Sequence, residues 1–184
     1  LAALDNDNAQ QEYYLTDTVR HAVARQLPVH AVICDDEEEL LGVNNQRQLA
    51  RLEAILRRRR ADALMDAGVK LADPRRIDIR GELRCGMDVE IDVNCVFEGS
   101  VELGDGVRIG ANCHLKNVRI AAGSELLPNC VLEDCVLGTG NSIGPFARIR
   151  PGTETADAVK VGNFVEIKKS RIGRGSKVNH LAYV

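Results

Sequence analysis

From Ile91 onward, an apolar residue recurs at nearly every sixth position of the chain. The series is Ile91, Phe97, Leu103, Ile109, Leu115, Ile120, Leu126, Leu132, Leu137, Ile143 and Ile149, and after the polar Thr155 it resumes at Val161, Ile167, Ile172, Val178 and Val184. An α-helix repeats every 3.6 residues and a flat strand every two, so neither explains this period. A hexapeptide repeat is typical of a parallel β-helix, in which each coil has three short strands with one inward aliphatic residue on each. Three of the steps are five residues long, and we expect one such step in every coil, at a tighter corner.

A second inward position lies four residues after the apolar one and is occupied by small residues. These are Cys95, Val101, Val107, Cys113, Ser124, Cys130, Ala147, Val165, Ser176 and Ala182. The cysteines of this series, together with Cys135, therefore read as small buried hydrophobic residues and not as disulfide partners. Because the chain contains no Cys-x-x-Cys pair, a zinc site is not expected.

The first part of the chain follows a different pattern. Residues 16–26 predict a helix and residues 29–33 a short apolar strand, which is an α/β order but too little to form a core. A long helix is predicted from Asn45 to about Ala67, ended by Gly68. We therefore predict three parts: residues 1–44 as the tail of an α/β domain, residues 45–68 as a linker helix, and residues 69–184 as the front of the β-helix.

Composition limits the classes of partner. The net charge of −3 and the pI near 5.8 argue against nucleic-acid binding, and the run Arg57 to Arg60 reads as a solvated helix face or a contact between subunits. No apolar run approaches the roughly 18 residues of a membrane helix, and no signal peptide is apparent. Free buried cysteines suit a reducing compartment, so we expect a cytoplasmic protein without membrane contacts.

Five motifs together resemble one family. They are Glu-Tyr-Tyr-Leu-Thr-Asp (12–17), Gly-Val-Asn-Asn (42–45), Gly-Pro-Phe-Ala-Arg-Ile-Arg-Pro-Gly (144–152), Gly-Asn-Phe-Val-Glu-Ile-Lys-Lys (162–169) and Gly-Ser-Lys-Val-Asn-His-Leu-Ala-Tyr (175–183). The chain is similar to the bacterial bifunctional enzymes that make UDP-N-acetylglucosamine, the N-acetylglucosamine-1-phosphate uridyltransferase/glucosamine-1-phosphate acetyltransferases. The resemblance implies a left-handed parallel β-helix preceded by the tail of an α/β nucleotidyltransferase domain.

The same resemblance implies the chemistry. An acetyl group passes from acetyl-CoA to glucosamine-1-phosphate, and a uridyl group then passes from UTP to N-acetylglucosamine-1-phosphate with magnesium as cofactor. Family members are homotrimers with acetyltransferase sites between subunits. The family's Gly-rich nucleotide loop and magnesium-binding Asp are not in this chain, and its acetyl-CoA residues are expected beyond Val184. We therefore expect a segment that is incomplete for both reactions.

The candidate acetyl-transfer residues come from the last three motifs. An amine must be deprotonated to attack a thioester, and histidine suits this role because its pKa lies near neutral pH. By resemblance, His180 is the general base, and Arg150, Lys168 and Tyr183 bind the sugar phosphate. Independently of the family, Arg150 and Lys168 are separated in the sequence by about one coil, so they should stack. Glu166 is a weaker candidate for orienting the site.

The candidate uridyl-transfer residues come from the first two motifs. By resemblance, Asn44 binds magnesium and the nucleotide sugar, and Thr16 lies near the sugar pocket. One amide oxygen is a weak ligand, since magnesium normally also takes a carboxylate and substrate phosphates. The alternative, purely structural interpretation of both residues is a helix-capping or turn role, because each precedes a predicted helix.

Two other classes of function remain open from the residues alone. A β-helix acyltransferase for a different amine or hydroxyl would keep the hexapeptide register without needing the α/β tail or the Arg150–Lys168 pair. An inactive scaffold, or a zinc enzyme of the same shape, would also keep the register. The zinc enzyme needs about three histidines at one interface, and the β-helix offers only His114 and His180.

Overall fold

The structure, a computed structural model, describes residue 4, residues 6–7 and residues 9–184. Residues 1–3, 5 and 8 lie outside this description. The chain forms two compact units, Leu1–Val43 and Asn44–Val184. In the first unit the described elements are helix α1 (Asp17–Ala24) and a 3-10 helix (Glu37–Leu40). The strand predicted at 29–33 is wrong, because these residues form no strand and Val32 and Ile33 are almost fully exposed. An apolar run becomes a strand only beside a partner strand, and the described part of this unit supplies none.

Helix α2 (Gln46–Asp66) opens the second unit and confirms the predicted long helix. Asn45 caps it, since its side-chain oxygen accepts a hydrogen bond from the Gln48 amide. Gly68 ends it in the left-handed conformation, with φ of 92°. The buried Ala61 and the guanidinium of Arg60, which donates to the Ile79 carbonyl, fasten the helix to the first coil of the solenoid.

Fifteen short strands follow and confirm the predicted parallel β-helix. They are β1 (Lys70–Leu71), β2 (Ile77–Cys85), β3 (Glu90–Ile91), β4 (Cys95–Leu103), β5 (Arg108–Ile109), β6 (His114–Ile120), β7 (Glu125–Leu126), β8 (Val131–Leu137), β9 (Ser142–Ile143), β10 (Arg148–Ile149), β11 (Glu154–Thr155), β12 (Lys160–Val161), β13 (Glu166–Ile167), β14 (Arg171–Ile172) and β15 (Lys177–Val178). Every pairing between them is parallel, and each joins residues that lie about one coil apart in the sequence.

The strands build three faces. Face 1 is the sheet β1-β3-β5-β7-β9-β12-β15. Face 2 contains β10, β13 and the first halves of β2, β4, β6 and β8, whereas face 3 contains β11, β14 and the second halves of those long strands. Since successive coils pair in register, residues one coil apart form columns that run along the solenoid, with rungs about 4.8 Å apart.

The predicted inward series forms the core. Its members from Ile91 to Ile149 are buried, and so are the small residues of the second series up to Val165. The prediction of one five-residue step in every coil is wrong. Each such step lies at the corner between faces 2 and 3, where Asn117, Asp134 and Lys169 have positive φ, but the coils with Gly99 or Gly152 at that corner keep six residues. A glycine there accommodates the extra residue because it has no Cβ to clash.

Polar residues interrupt the core in one layer. Thr155 points inward and is buried, and its hydroxyl accepts a hydrogen bond of 2.5 Å from the Asn141 side-chain amide. The Asn141 oxygen accepts from the Val159 amide at 2.7 Å, and the Ser124 hydroxyl accepts from the Asn141 backbone amide at 3.0 Å. Because every member has a partner, this buried network can be tolerated inside an apolar solenoid.

The inward cysteines are buried, free thiols, as predicted. The Cys95 thiol donates to the Gly110 carbonyl at 3.3 Å. Burial raises the pKa of Cys95 to about 11 and that of Cys135 to about 12. A thiol that stays protonated is a poor nucleophile, so these residues act as packing groups.

Candidate functional site

The outer surface of face 2 has a column of charged residues whose signs alternate through its lower rungs. Paired register places Arg80 beside Glu98, Glu98 beside Lys116, and Lys116 beside Glu133. Arg80 contacts Glu98 at 3.1 Å, and Lys116 contacts Glu133 at 3.7 Å. Opposite charges on neighbouring strands stabilise a sheet modestly, so this part of the column is explained by folding alone.

The alternation fails at Arg150 and Lys168, the next two members of the same column. Both residues lie one position after the paired Ile149 and Ile167, so two cations occupy successive rungs about 5 Å apart. Arg150 donates from Nη1 to Glu166 Oε1 at 2.8 Å, and these side chains are 29% and 33% exposed. Lys168 is half-buried and forms no ion pair with any residue that the structure describes. The pair therefore leaves a net positive charge, which suits a phosphate.

Tyr183 and His180 belong to the coil above this pair. Tyr183 forms a parallel bridge with Glu166 and has an exposed ring. His180 is exposed at the corner between faces 1 and 2, where the Leu181 amide donates to the Asn163 carbonyl at 3.1 Å. The structure thus brings Arg150, Lys168 and Tyr183 onto one face in three consecutive coils, with His180 at the edge of that face.

The imidazole of His180 makes no hydrogen bond or ion pair among the described residues. Its ring is therefore free to turn towards a ligand, and no carboxylate in the described part of the chain fixes its tautomer. A histidine at the edge of a face that carries a cationic pair can accept a proton from a bound amine if the phosphate of the same molecule lies on the cations.

Asn44 and Thr16 lie elsewhere and in different units. The backbone amide of Asn44 donates a hydrogen bond to Gln48 Oε1 at 2.7 Å. The residue that caps α2 is the neighbouring Asn45. Thr16 is the N-cap residue of α1 but makes no capping hydrogen bond. Neither residue is therefore accounted for by the side-chain capping that the sequence suggested.

A magnesium site cannot be built from the described residues alone. Across residue 4, residues 6–7 and residues 9–184, no group of three or more His, Cys, Asp or Glu side chains could hold a metal ion. Asn44 could supply one amide oxygen, which is too little for a cation that prefers six oxygen ligands. Within the same residues, no helix has the length and apolar character needed to cross a membrane.

Sequence reasoning missed one feature beside His180. Phe146 and Phe164 occupy successive rungs at the corner between faces 1 and 2, with ring centroids 5.2 Å apart and planes inclined by 16°. Both have positive φ and are exposed. Aligning the sequence coil by coil would have revealed the pair, since it places Phe146 beside Phe164.

Comparison with known sequences gives a family for more than half of the chain. Residues 79–184 match the family described as the GMPPB C-terminal domain. The chain is also 60% identical over all 184 residues to a bifunctional protein GlmU of Chromobacterium violaceum and 58% identical to that of Azoarcus sp.. It spans about 40% of the length of these curated relatives.

A solved structure with a similar fold is an acetyltransferase domain. The acetyltransferase domain of PglB from Neisseria gonorrhoeae, in complex with acetyl coenzyme A, superposes with a TM-score of 0.56 at 18% identity. The match covers 69% of this chain and 63% of that one. At this level of identity the similarity shows the fold, which is the β-helix predicted from the hexapeptide register.

Proposed function

We propose, from the premise that the chain belongs to the family of the GMPPB C-terminal domain and aligns throughout with bifunctional GlmU proteins, that it carries the sugar-phosphate half of an acetyltransferase site. The substrate is glucosamine-1-phosphate and the donor is acetyl-CoA. The single observation that carries the proposal is the break in charge alternation at Arg150 and Lys168, on the face at whose edge His180 lies.

The roles follow from the chemistry of each group. Arg150 and Lys168 bind the phosphate through charge-assisted hydrogen bonds, while Glu166 holds the Arg150 guanidinium in place at 2.8 Å. Tyr183 contacts the sugar. His180 takes a proton from the amine as its nitrogen attacks the thioester carbonyl, so an N–C bond forms, the C–S bond breaks and the coenzyme leaves as a thiolate that then takes a proton.

We further propose roles for the rest of the chain in the family's second activity. Residues 1–44 are the tail of a uridyltransferase domain that uses UTP, with Thr16 near its sugar pocket and Asn44 giving one amide oxygen to magnesium. Residues 45–68 form the linker helix, and residues 69–184 belong to the acetyltransferase domain. The whole protein works as a cytoplasmic homotrimer that supplies UDP-N-acetylglucosamine.

Calorimetric titration of the full chain tests the substrate assignment. Glucosamine-1-phosphate should bind, glucosamine without the phosphate should bind at least tenfold more weakly, and Arg150→Ala with Lys168→Ala should remove the difference. Equal binding of the two sugars would contradict the assignment. The matched control is Lys116→Ala, which removes a cation of the same column two rungs below Arg150. It should bind both sugars like the parent chain.

A chimera tests the role of His180. The full chain replaces the matching segment of the Chromobacterium violaceum relative, and acetyl transfer to glucosamine-1-phosphate is measured. His180→Asn should lower kcat by about 10²–10⁴-fold and leave the affinity for the sugar phosphate unchanged. His114→Asn, on the same β-helix but several coils lower, should keep full activity. If His180→Asn also keeps it, the residue is not the base.

A further inference from the structure

Glu166 has two arginine neighbours on face 2, and it contacts the more distant of them. In paired register it lies directly beside Arg148, which is one rung below it, so their Cα atoms are about 4.8 Å apart. Arg150 lies two residues further along the lower strand, and such a diagonal separation is roughly 7–8 Å. Yet Arg150 makes the contact, from Nη1 to Glu166 Oε1 at 2.8 Å. The arginine directly beside the carboxylate is therefore not bonded to it.

Arg148 has no side-chain partner among the residues that the structure describes. It is exposed, and it forms neither a hydrogen bond nor an ion pair within those ranges. Its lower neighbour in the column is Val131, which has no charge. In the adjoining column, the carboxylate of Glu133 is in contact with Lys116 at 3.7 Å. Arg148 is thus a cation that the backbone register holds beside Glu166 while its guanidinium stays free to turn.

Glu166 retains an oxygen that Arg150 does not use. The guanidinium of Arg150 donates to Oε1, and Oε2 accepts no hydrogen bond within the described part of the chain. The side chain is half-buried, and an ionised carboxylate in such a position gains from a second charged donor. An arginine in the neighbouring register position can reach this oxygen by side-chain rotation alone.

A sugar phosphate at Arg150 and Lys168 would change the charge around Glu166. A phosphate monoester carries about two negative charges near neutral pH, and the proposed function places it on the same guanidinium that Glu166 contacts. Like charges at this distance repel, and the repulsion is stronger where water is partly excluded. Glu166 must therefore either release Arg150 or gain another cation, and Arg148 is the cation directly beside it.

We propose that Arg148 is a positioning residue that pairs with Glu166 Oε2 when the phosphate binds. Arg148 does not touch the phosphate. It neutralises Glu166, so that Arg150 keeps its contact with the carboxylate and presents its remaining donors to the phosphate. This inference rests on the proposed function, because it needs the sugar phosphate at Arg150 and Lys168. It adds to that function a further residue and a contact that forms only with the ligand.

A double-mutant cycle on the full chain tests the pairing, with the affinity for glucosamine-1-phosphate measured by calorimetric titration. Arg148→Gln should weaken binding about fivefold to tenfold, because the carboxylate then stays unneutralised beside the phosphate. In a Glu166→Gln background the same change should have almost no effect, since no carboxylate remains to be neutralised. Arg148→Lys keeps a cation within reach and should retain most of the affinity. An equal loss in both backgrounds would mean that Arg148 contacts the phosphate directly, and it would overturn the proposal.

The signal of the Arg148 Nε–H group in a ¹⁵N NMR spectrum provides a second measurement that does not depend on the Glu166 variant. It is assigned by its loss in Arg148→Lys. Saturation of the parent chain with glucosamine-1-phosphate should shift this signal and slow its exchange with water, whereas glucosamine without the phosphate should leave it in place. A signal that glucosamine-1-phosphate leaves unmoved would show that Arg148 stays unpaired, and the inference would be wrong.

Arg174→Gln is the matched control. Arg174 is also exposed and also without an ion pair in the described ranges, but it lies between β14 and β15, away from face 2. Its replacement removes the same charge and should leave the affinity for glucosamine-1-phosphate unchanged. If Arg174→Gln costs as much affinity as Arg148→Gln, the effect is one of net charge and the pairing is refuted.

The parent chain and the ligand-free state separate this inference from the proposed function. If the parent chain binds glucosamine-1-phosphate and Arg148→Gln binds it equally well, only the pairing fails. If the parent chain does not bind it, the proposed function and the pairing fail together. Without ligand, Arg148→Gln should not change the urea midpoint of unfolding, because Arg148 then has no partner to lose. A lower midpoint would show a contact that exists before the phosphate binds, which contradicts the proposal.

Discussion

Lys168 lies one rung above Arg150 in a column whose lower members alternate in charge, and no carboxylate of that column separates the two cations. Neighbouring like charges on adjacent strands are destabilising. A solenoid selected for stability alone would continue the alternation with an acidic residue after Arg150. Under the proposed function, sugar-phosphate binding at Lys168 accounts for this exception at a cost in stability.

Lys168→Glu should restore the alternation and separate these two properties. We expect the free energy of unfolding to rise by about 0.5 kcal/mol, the size of a favourable cross-strand pair, while phosphate-dependent binding of glucosamine-1-phosphate is lost. Urea unfolding and calorimetric titration measure the two effects. A variant that is less stable than the parent chain would show that the column does not act through neighbouring charges.

Lys116→Glu is the matched control, three rungs below Lys168 in the same column. The same substitution there places a carboxylate between Glu98 and Glu133, so we expect the free energy of unfolding to fall by about 1 kcal/mol and sugar-phosphate binding to remain. Equal stability changes in the two variants would exclude the column as the cause.

Gly162 tests the close approach of two coils beside the site. A Cβ built on it would lie 2.2 Å from the Asn179 carbonyl oxygen, a backbone atom that cannot rotate away. Gly162→Ala should therefore lower the free energy of unfolding by more than about 2 kcal/mol, as measured by urea unfolding. Gly173→Ala is the comparison, because the atom nearest to its Cβ would be Ser176 Oγ at 3.7 Å. It should be close to neutral, and a similar loss in both would mean that any side chain at these corners is harmful.

The sequence pattern and the packed structure make opposite predictions for the stability of a variant at Thr155. The hexapeptide register alone favours Thr155→Val, which would complete the aliphatic series. The structure predicts a loss of about 1–3 kcal/mol, because the buried Asn141 amide would lose its acceptor. Thr153→Val is the control, since Thr153 only donates a long bond of 3.4 Å to the Ile167 carbonyl, and thermal unfolding should show little change. A Thr155→Val variant as stable as the parent chain would refute the network.

The buried thiols predict how stability depends on alkaline pH. Burial raises the pKa of Cys95 to about 11, whereas an unfolded thiol ionises near pH 8.5. The protonated Cys95 thiol makes its full contribution to the free energy of unfolding below about pH 8.5. This contribution is lost as pH rises towards 11, because only the unfolded chain then releases the proton. Cys95→Ala should therefore make the fall of the unfolding free energy shallower, by up to about 1.4 kcal/mol per pH unit.

Urea unfolding from about pH 8 to about pH 11 measures that slope. Val101→Ala removes volume from another inward position without removing a thiol, so it should lower stability equally at every pH. If Cys95→Ala also changes stability equally at every pH, the thiol does not ionise on unfolding in this range.

The candidate site could be predicted from the sequence only in part. The sequence separation of Arg150 and Lys168 implied their stacking, because it equals the length of the coil that pairs β10 with β13. The ion pair between Arg150 and Glu166 could not be derived in this way, since it joins different columns of adjacent coils. The Phe146–Phe164 stack was visible only once the residues were arranged by coil.

By itself the sequence determined the β-helix, because inward residues on a solenoid repeat at a fixed local period that tertiary contacts do not alter. It also determined helix α2, from the predicted start at Asn45 to the stop at Gly68. Tertiary structure decided what local pattern cannot encode: the apolar run at 29–33 forms no strand because pairing needs a neighbour. It also decided which coils accept a five-residue corner, how Thr155 is satisfied inside the core, and which charges remain unpaired, since each depends on residues from adjacent coils.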